Sequence, residues 1–152
     1  MTKEKIISVQ NQWAEGIIEM GKLSNDRLSL EIFTSNFLDE MYDFENHDVL
    51  FKPTKASVEQ FRPTLKMALS YFLGGDDSFC SEDDGFAMKP WVEVNFKNSG
   101  YIIEDSRAIA MGNYFFIDDS DNEVKVEFTF GYKLYDGKLV IDLHHSSLPF
   151  SR

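Results

Sequence analysis

The chain has 152 residues, the usual size of one domain, and 26 acidic against 15 basic residues leave it a formal charge of −11, which repels nucleic acid and anionic membranes. A single cysteine, Cys80, excludes an internal disulfide framework and any zinc site built on several thiolates. Hydrophobic residues make up 43%, with 14 phenylalanines, enough for a real core and against intrinsic disorder.

No apolar run approaches the ~20 residues that span a bilayer. The opening Met1-Thr2-Lys3-Glu4-Lys5 leads into a polar-spaced helix rather than a secretory segment. The expectation is one soluble, cytoplasmic domain over residues 1–152.

In chain order, Ile6, Val9, Trp13, Ile17 and Met20 recur at spacings of three and four, predicting an amphipathic helix that Gly21 ends. Ser24-Asn25-Asp26 offers N-cap chemistry to a second helix with the stripe Leu30, Phe33, Phe37 and Met41. Asp48 to Lys52 reads as a short strand before Pro53. A third helical stretch is expected to begin near Ser57 in a capping box with Gln60, break, and restart at Pro63. Its buried face is Leu65, Leu69, Phe72 and Leu73, and Gly74-Gly75 stops it. Asp76 to Gly85 is an acidic loop.

From Pro90 the period changes to 2. Val92, Val94 and Phe96, then Val124, Val126, Phe128, Phe130, Tyr132 and Leu134, alternate with polar residues as half-buried antiparallel strands do. Asp136-Gly137 is a strong hairpin signal. Helices first and a meander afterwards predict an α+β fold: a curved antiparallel sheet with three helices on its concave face.

Turn residues suggest registers. A turn at Asp136-Gly137 pairs Phe128 with His145; one centred on Ser120-Asp121 pairs Asn113 with Phe128; one at Asp105-Ser106 pairs Asn98 with Asn113. A bulge at Asn98-Ser99-Gly100 would break this parity locally. The registers place a polar row of Asn98, Asn113 and His145 on the apolar face, with Ser147 and Tyr132 nearby. Such groups either satisfy one another inside a packed core or line a polar cavity. On the second reading His145 is the general base, and Asn98, Asn113 and Tyr132 orient a substrate carbonyl.

Lys52, Lys55, Arg62 and His47 form a basic segment that could draw an anionic small molecule toward the mouth, or simply a solvated face. Trp91, Tyr101, Tyr114 and Phe116 fall on the outer face with Glu127, the pattern of a homodimer interface. No metal site is expected: Asp118 to Glu123 lacks the glycine and closing glutamate of a calcium loop, and His144 and His145 point to opposite faces. No cofactor motif occurs.

The run Tyr135-Asp136-Gly137-Lys138 through His144-His145-Ser146-Ser147-Leu148-Pro149 resembles the end of a SnoaL-like domain of the nuclear transport factor 2-like superfamily. Its nearest resemblance is to the association domain of calcium/calmodulin-dependent protein kinase II and its free-standing bacterial counterparts. Helices, short strand and closing meander extend this over nearly the whole chain. The resemblance implies a cone-shaped, cystatin-like α+β roll with a pocket between sheet and helices, and association through the outer sheet face. The hub's pocket arginines correspond to Phe130 and Ser146 here, so their anion chemistry does not carry over. The interior aspartate of the ketosteroid isomerase branch has no counterpart on the predicted cavity face. The expectation is a homo-oligomeric binding or assembly module with a partly polar pocket for a small molecule, an anion among the candidates. The rivals are a small-molecule isomerase, lyase or hydrolase using His145, and a structural dimer whose pocket is filled by its own side chains.

Overall fold

Helix α1 (Lys3–Lys22) starts at Thr2, whose hydroxyl accepts from the Lys5 amide, and buries the predicted stripe of Ile6, Trp13, Ile17 and Met20. The computed structural model describes residues 1–152. Helix α2 (Arg27–Met41) is capped by the Asp26 carboxylate, which accepts from the Ser29 amide. Strand β1 (Leu50–Lys52), helix α3 (Leu65–Leu73) and a single 3-10 turn (Phe86–Met88) follow. The meander is β2 (Trp91–Ile103), β3 (Arg107–Asp118), β4 (Glu123–Tyr135) and β5 (Lys138–Ser147).

Strand order is β1-β5-β4-β3-β2. The meander is antiparallel throughout, but β1 joins β5 in parallel, so the curved sheet is mixed rather than wholly antiparallel. All three helices lie on the concave side of this α+β roll, and no helix is long and apolar enough to cross a membrane.

The third helix does not begin at Ser57. Its N-cap is Thr64, immediately after Pro63. Ser57 is used elsewhere: its amide and hydroxyl, with the Val58 and Glu59 amides, converge on the Glu82 carboxylate at 2.7–3.1 Å. These donors hold the Glu82 pKa down at about 2, the Ser57 amide contributing most. Beside it the fully buried Arg62 donates to both Asp83 oxygens at 2.6 and 2.9 Å, and Ser70 donates to the same carboxylate. Loops 53–62 and 76–85 are thereby fastened together.

Three register details decide which side chains face the helices. The Asn98–Gly100 bulge is present as anticipated. Between β3 and β4, Ile117 pairs with Glu123, one residue from the expected match. Asp118 stays in the turn instead, its carboxylate accepting the Ser120 and Asn122 amides at 3.0 and 2.9 Å. Between β4 and β5, Tyr135 pairs with Lys138 as predicted, but a bulge at Asp142 shifts the ladder so that Phe130 meets His144 and Thr129 meets His145. Each bulge lies across from a glycine where no Cβ fits. On Gly112 it would strike the Lys97 carbonyl; on Gly131 it would meet Leu143 Cβ at 2.8 Å and the Asp142 carboxylate at 2.9 Å, where Asp142 pairs with Arg107.

Tyr114, Phe116, His144 and Ser146 therefore turn inward and are buried, while Asn113, His145 and Ser147 turn outward. A second irregularity, between Trp91 and Glu93, buries Trp91 as well. Tyr101 packs against the core beneath the Lys3 ammonium, 5.1 Å from its ring centre. Of the five residues expected at a dimer interface, only Glu127 remains on the outer face. That face instead exposes Val92 and Met111 and half-buries Ile109, Phe115 and Ile117.

Candidate active site

The inward turn of β5 brings His144 beneath helix α1. Phe51 of β1 stacks on the imidazole with ring centres 4.8 Å apart, Phe130 meets it edge-on at 4.1 Å, and Trp13 lies at 5.5 Å. In this apolar surrounding both nitrogens of the ring are hydrogen-bonded. Trp13 Nε1 donates to Tyr42 Oη at 2.7 Å, and Tyr42 Oη lies 2.8 Å from His144 Nδ1. Tyr42 is fully buried, so its own hydrogen has only Nδ1 to go to. Nδ1 is then the acceptor and Nε2 carries the proton. Nε2 faces Ser146 Oγ at 2.9 Å and Tyr114 Oη at 3.3 Å, and those two hydroxyls also hydrogen-bond to one another.

Burial sets the charge state. Desolvation, and secondarily the neighbouring His145, push the His144 pKa well below the ordinary imidazole value, so the ring is neutral. Desolvation raises the pKa of Tyr42 and Tyr114, which stay protonated phenols. Ser146, Tyr114 and His144 border a hollow of about 10 Å³ that Pro53, Thr54, Tyr71 and Phe86 also line. That is room for one water, with three polar groups aimed at it. No group of three or more His, Cys, Asp or Glu side chains is arranged to hold a metal ion.

The residues singled out from sequence do not form one site. His145, Asn113, Ser147 and Glu127 do come together, but along a shallow cleft of about 370 Å³ on the outer face, where Ser147 donates to Glu127 at 2.7 Å. Asn98 and Tyr132 meet inside, both hydrogen-bonded to Gln10: Gln10 Nε2 donates to Asn98 Oδ1 at 2.9 Å and Tyr132 Oη at 3.1 Å, and Asn98 Nδ2 returns a bond of 2.8 Å. None of the three lines the hollow beside His144 or the clefts on the outer face and beside Lys55.

The basic group is dispersed. Lys52 donates to the Ser146 carbonyl at 3.0 Å, and partial burial lowers its pKa. Lys55 lines an external cleft of about 290 Å³, Arg62 is spent on Asp83, and His47 lies against Tyr135 beside the Asp136-Gly137 turn, 3.2 Å from Asp43. The register turns His144 and Ser146, rather than His145 and Ser147, toward the interior, and gathers Trp13, Tyr42, Thr54 and Tyr114, none of them singled out from sequence as ligand-binding, around His144 and the hollow.

The roll has the nuclear transport factor 2-like fold that the resemblance implied. A putative calcium/calmodulin-dependent protein kinase II association domain from Xanthomonas campestris superposes with a TM-score of 0.70 at 18% identity, covering all of this chain and 91% of that one. Within that fold the match is much closer to one group. The chain belongs to the metal-independent carbonic anhydrase family, which it matches over residues 4–148. It is 34% identical to the metal-independent carbonic anhydrase of Nostoc sp. strain PCC 7120, over all of this chain and 76% of that protein. The crystal structure of a cyanobacterial iota-carbonic anhydrase complexed with bicarbonate superposes with a TM-score of 0.93 at 33% identity, covering 100% of this chain and 94% of that one.

Proposed function

We propose that this protein hydrates carbon dioxide reversibly to bicarbonate, with the chemistry at Ser146, Tyr114 and His144 and without a resident metal. The observation that carries the reading is a neutral hydrogen-bonded group facing a water-sized hollow, in a chain whose 33%-identical structural relative holds bicarbonate. Water in the hollow attacks the carbon of CO2. The Ser146 hydroxyl takes the proton that water loses and passes its own to a CO2 oxygen, giving carbonic acid, which ionises to bicarbonate and a proton on release. Tyr114 O–H and His144 Nε2–H donate toward the oxygen on which negative charge grows. Tyr42 holds the imidazole in the donating tautomer, and Trp13 holds Tyr42.

This reading replaces His145 as general base with a donor set that needs no charged base. Stopped-flow CO2 hydration with a pH indicator tests it: the purified chain accelerates hydration, and exhaustive dialysis against a chelator leaves the rate unaltered. No acceleration above the uncatalysed rate, or loss of it on chelation, sinks the proposal.

We further infer that a second copy of the chain covers the outer sheet face. The reading is supported by a face that no helix covers and that presents Val92 and Met111 exposed beside Ile109, Phe115 and Ile117. Met111→Asp is expected to convert a dimer into a monomer by light scattering; a monomeric wild-type chain, or an unchanged dimer, rejects it.

A further inference from the structure

The hollow has room for about one water, and bicarbonate is larger, so a wall must move for bicarbonate to fit. Most of the wall is fixed. Trp13, Phe51, Phe72, Tyr114, His144 and Ser146 all lie on helices or strands and are at most 2% exposed. Of the other four, Pro53 and Thr54 lie in the turn after β1, while Tyr71 and Phe86 line both the hollow and the external cleft of about 290 Å³ that carries Lys55 and Lys89. The latter two are the partition between the two spaces.

Resting on the reading above, we propose that the Tyr71–Phe86 pair is the gate of the hollow and that the Phe86 ring is its moving part. The rings lie face to face, 5.6 Å between centres and 14° from parallel. Tyr71 is held at both ends, by α3 and by the Lys55 amide, which donates to its hydroxyl at 3.4 Å. Phe86 is only partly buried and belongs to an isolated 3-10 turn outside the sheet and the long helices.

The frame around the gate is stiff. The Glu82 and Arg62–Asp83 bonds fasten the two loops that bracket it, and Phe86's own carbonyl is fixed by Trp91 Nε1 at 2.9 Å. Opening therefore belongs to a ring rotation and not to a swinging loop. A ring-sized opening admits CO2 and bicarbonate and rejects bulkier acids, so the pair also sets the size limit on substrates.

Trp13 reports on the hollow without any turnover. In a Trp91→Phe background, which gives up the Trp91 Nε1 bond to the Phe86 carbonyl and is therefore itself the parent for every comparison, it is the sole tryptophan, and its quenching by acrylamide, a small neutral molecule, measures admission. Phe86→Ala in that background is expected to raise the quenching constant about threefold or more, and Phe86→Leu by less, with unchanged circular dichroism. The same variants should change the CO2 hydration kcat. Equal quenching in the parent and in folded Phe86→Leu overturns the gate; should Phe86→Ala fail to fold, the leucine variant decides alone. Quenching that rises in a protein without hydration activity upholds the gate and rejects the assigned reaction. Activity with unaltered quenching does the reverse.

Discussion

Two buried polar clusters hang from the same face of helix α1, one turn apart. Gln10 ties Asn98 to Tyr132; Trp13 leads through Tyr42 to His144, Ser146 and Tyr114. Both are shielded from solvent and hydrogen-bonded across distant parts of the chain. The first closes on itself and takes no part in the hollow. The second borders an empty volume, and the bonded Ser146–Tyr114 hydroxyl pair leaves one hydrogen over at its edge. Buried polarity alone thus does not mark a reaction centre; unspent hydrogen-bonding capacity next to a void does.

Substitutions that attack one cluster at a time separate the two most sharply. Ser146→Ala removes the proton-passing hydroxyl and should lower the hydration kcat by about 10²-fold while the thermal midpoint moves little. Gln10→Leu should do the opposite: strand the Asn98 and Tyr132 groups, cost about 1–3 kcal/mol of stability in denaturant unfolding, and leave the rate within about twofold. A large rate loss from Gln10→Leu would erase the distinction.

The smallest effect concerns pH. His144 is held neutral, and Tyr42 and Tyr114 protonated, so no group at the hollow titrates near neutrality. The rate profile should be flat within about twofold from about pH 6.5 to 9. Stability should not be flat. The folded His144 pKa lies below its unfolded value of about 6.5, so below that pH the unfolded chain binds a proton the folded chain refuses, and stability falls with a slope of up to about 1.4 kcal/mol per pH unit. Folding measured from about pH 7 down to 5.5 should show this slope in the parent and lose it in His144→Phe.

Much of the fold was legible because helix stripes and hairpin tips are local. The α1 and α2 stripes, the Asp26 cap, the Asp136-Gly137 turn and the β2 bulge were all readable from neighbours in sequence. The site was not, because parity accumulates errors. One residue retained in the Asp118 turn reversed β3, and one extra residue at Asp142 reversed the end of β5. On β3 both alternating sets are apolar, Ala108, Ala110, Tyr114 and Phe116 against Ile109, Met111, Phe115 and Ile117, so hydrophobicity could not arbitrate. Trp13 and Tyr42 looked like core residues because they are; their polar tips matter only once His144 is placed beneath them.

The bulge at Asp142 has one more consequence. Were the strand to slip by one residue, His145 and Ser147 would replace His144 and Ser146, and the hollow would still receive an imidazole and a hydroxyl two positions apart. The doubled His-His-Ser-Ser tetrad makes this stretch tolerant of a framing error that would empty most pockets of their chemistry. Such redundancy gives a single-residue insertion or deletion nearby a path to survival.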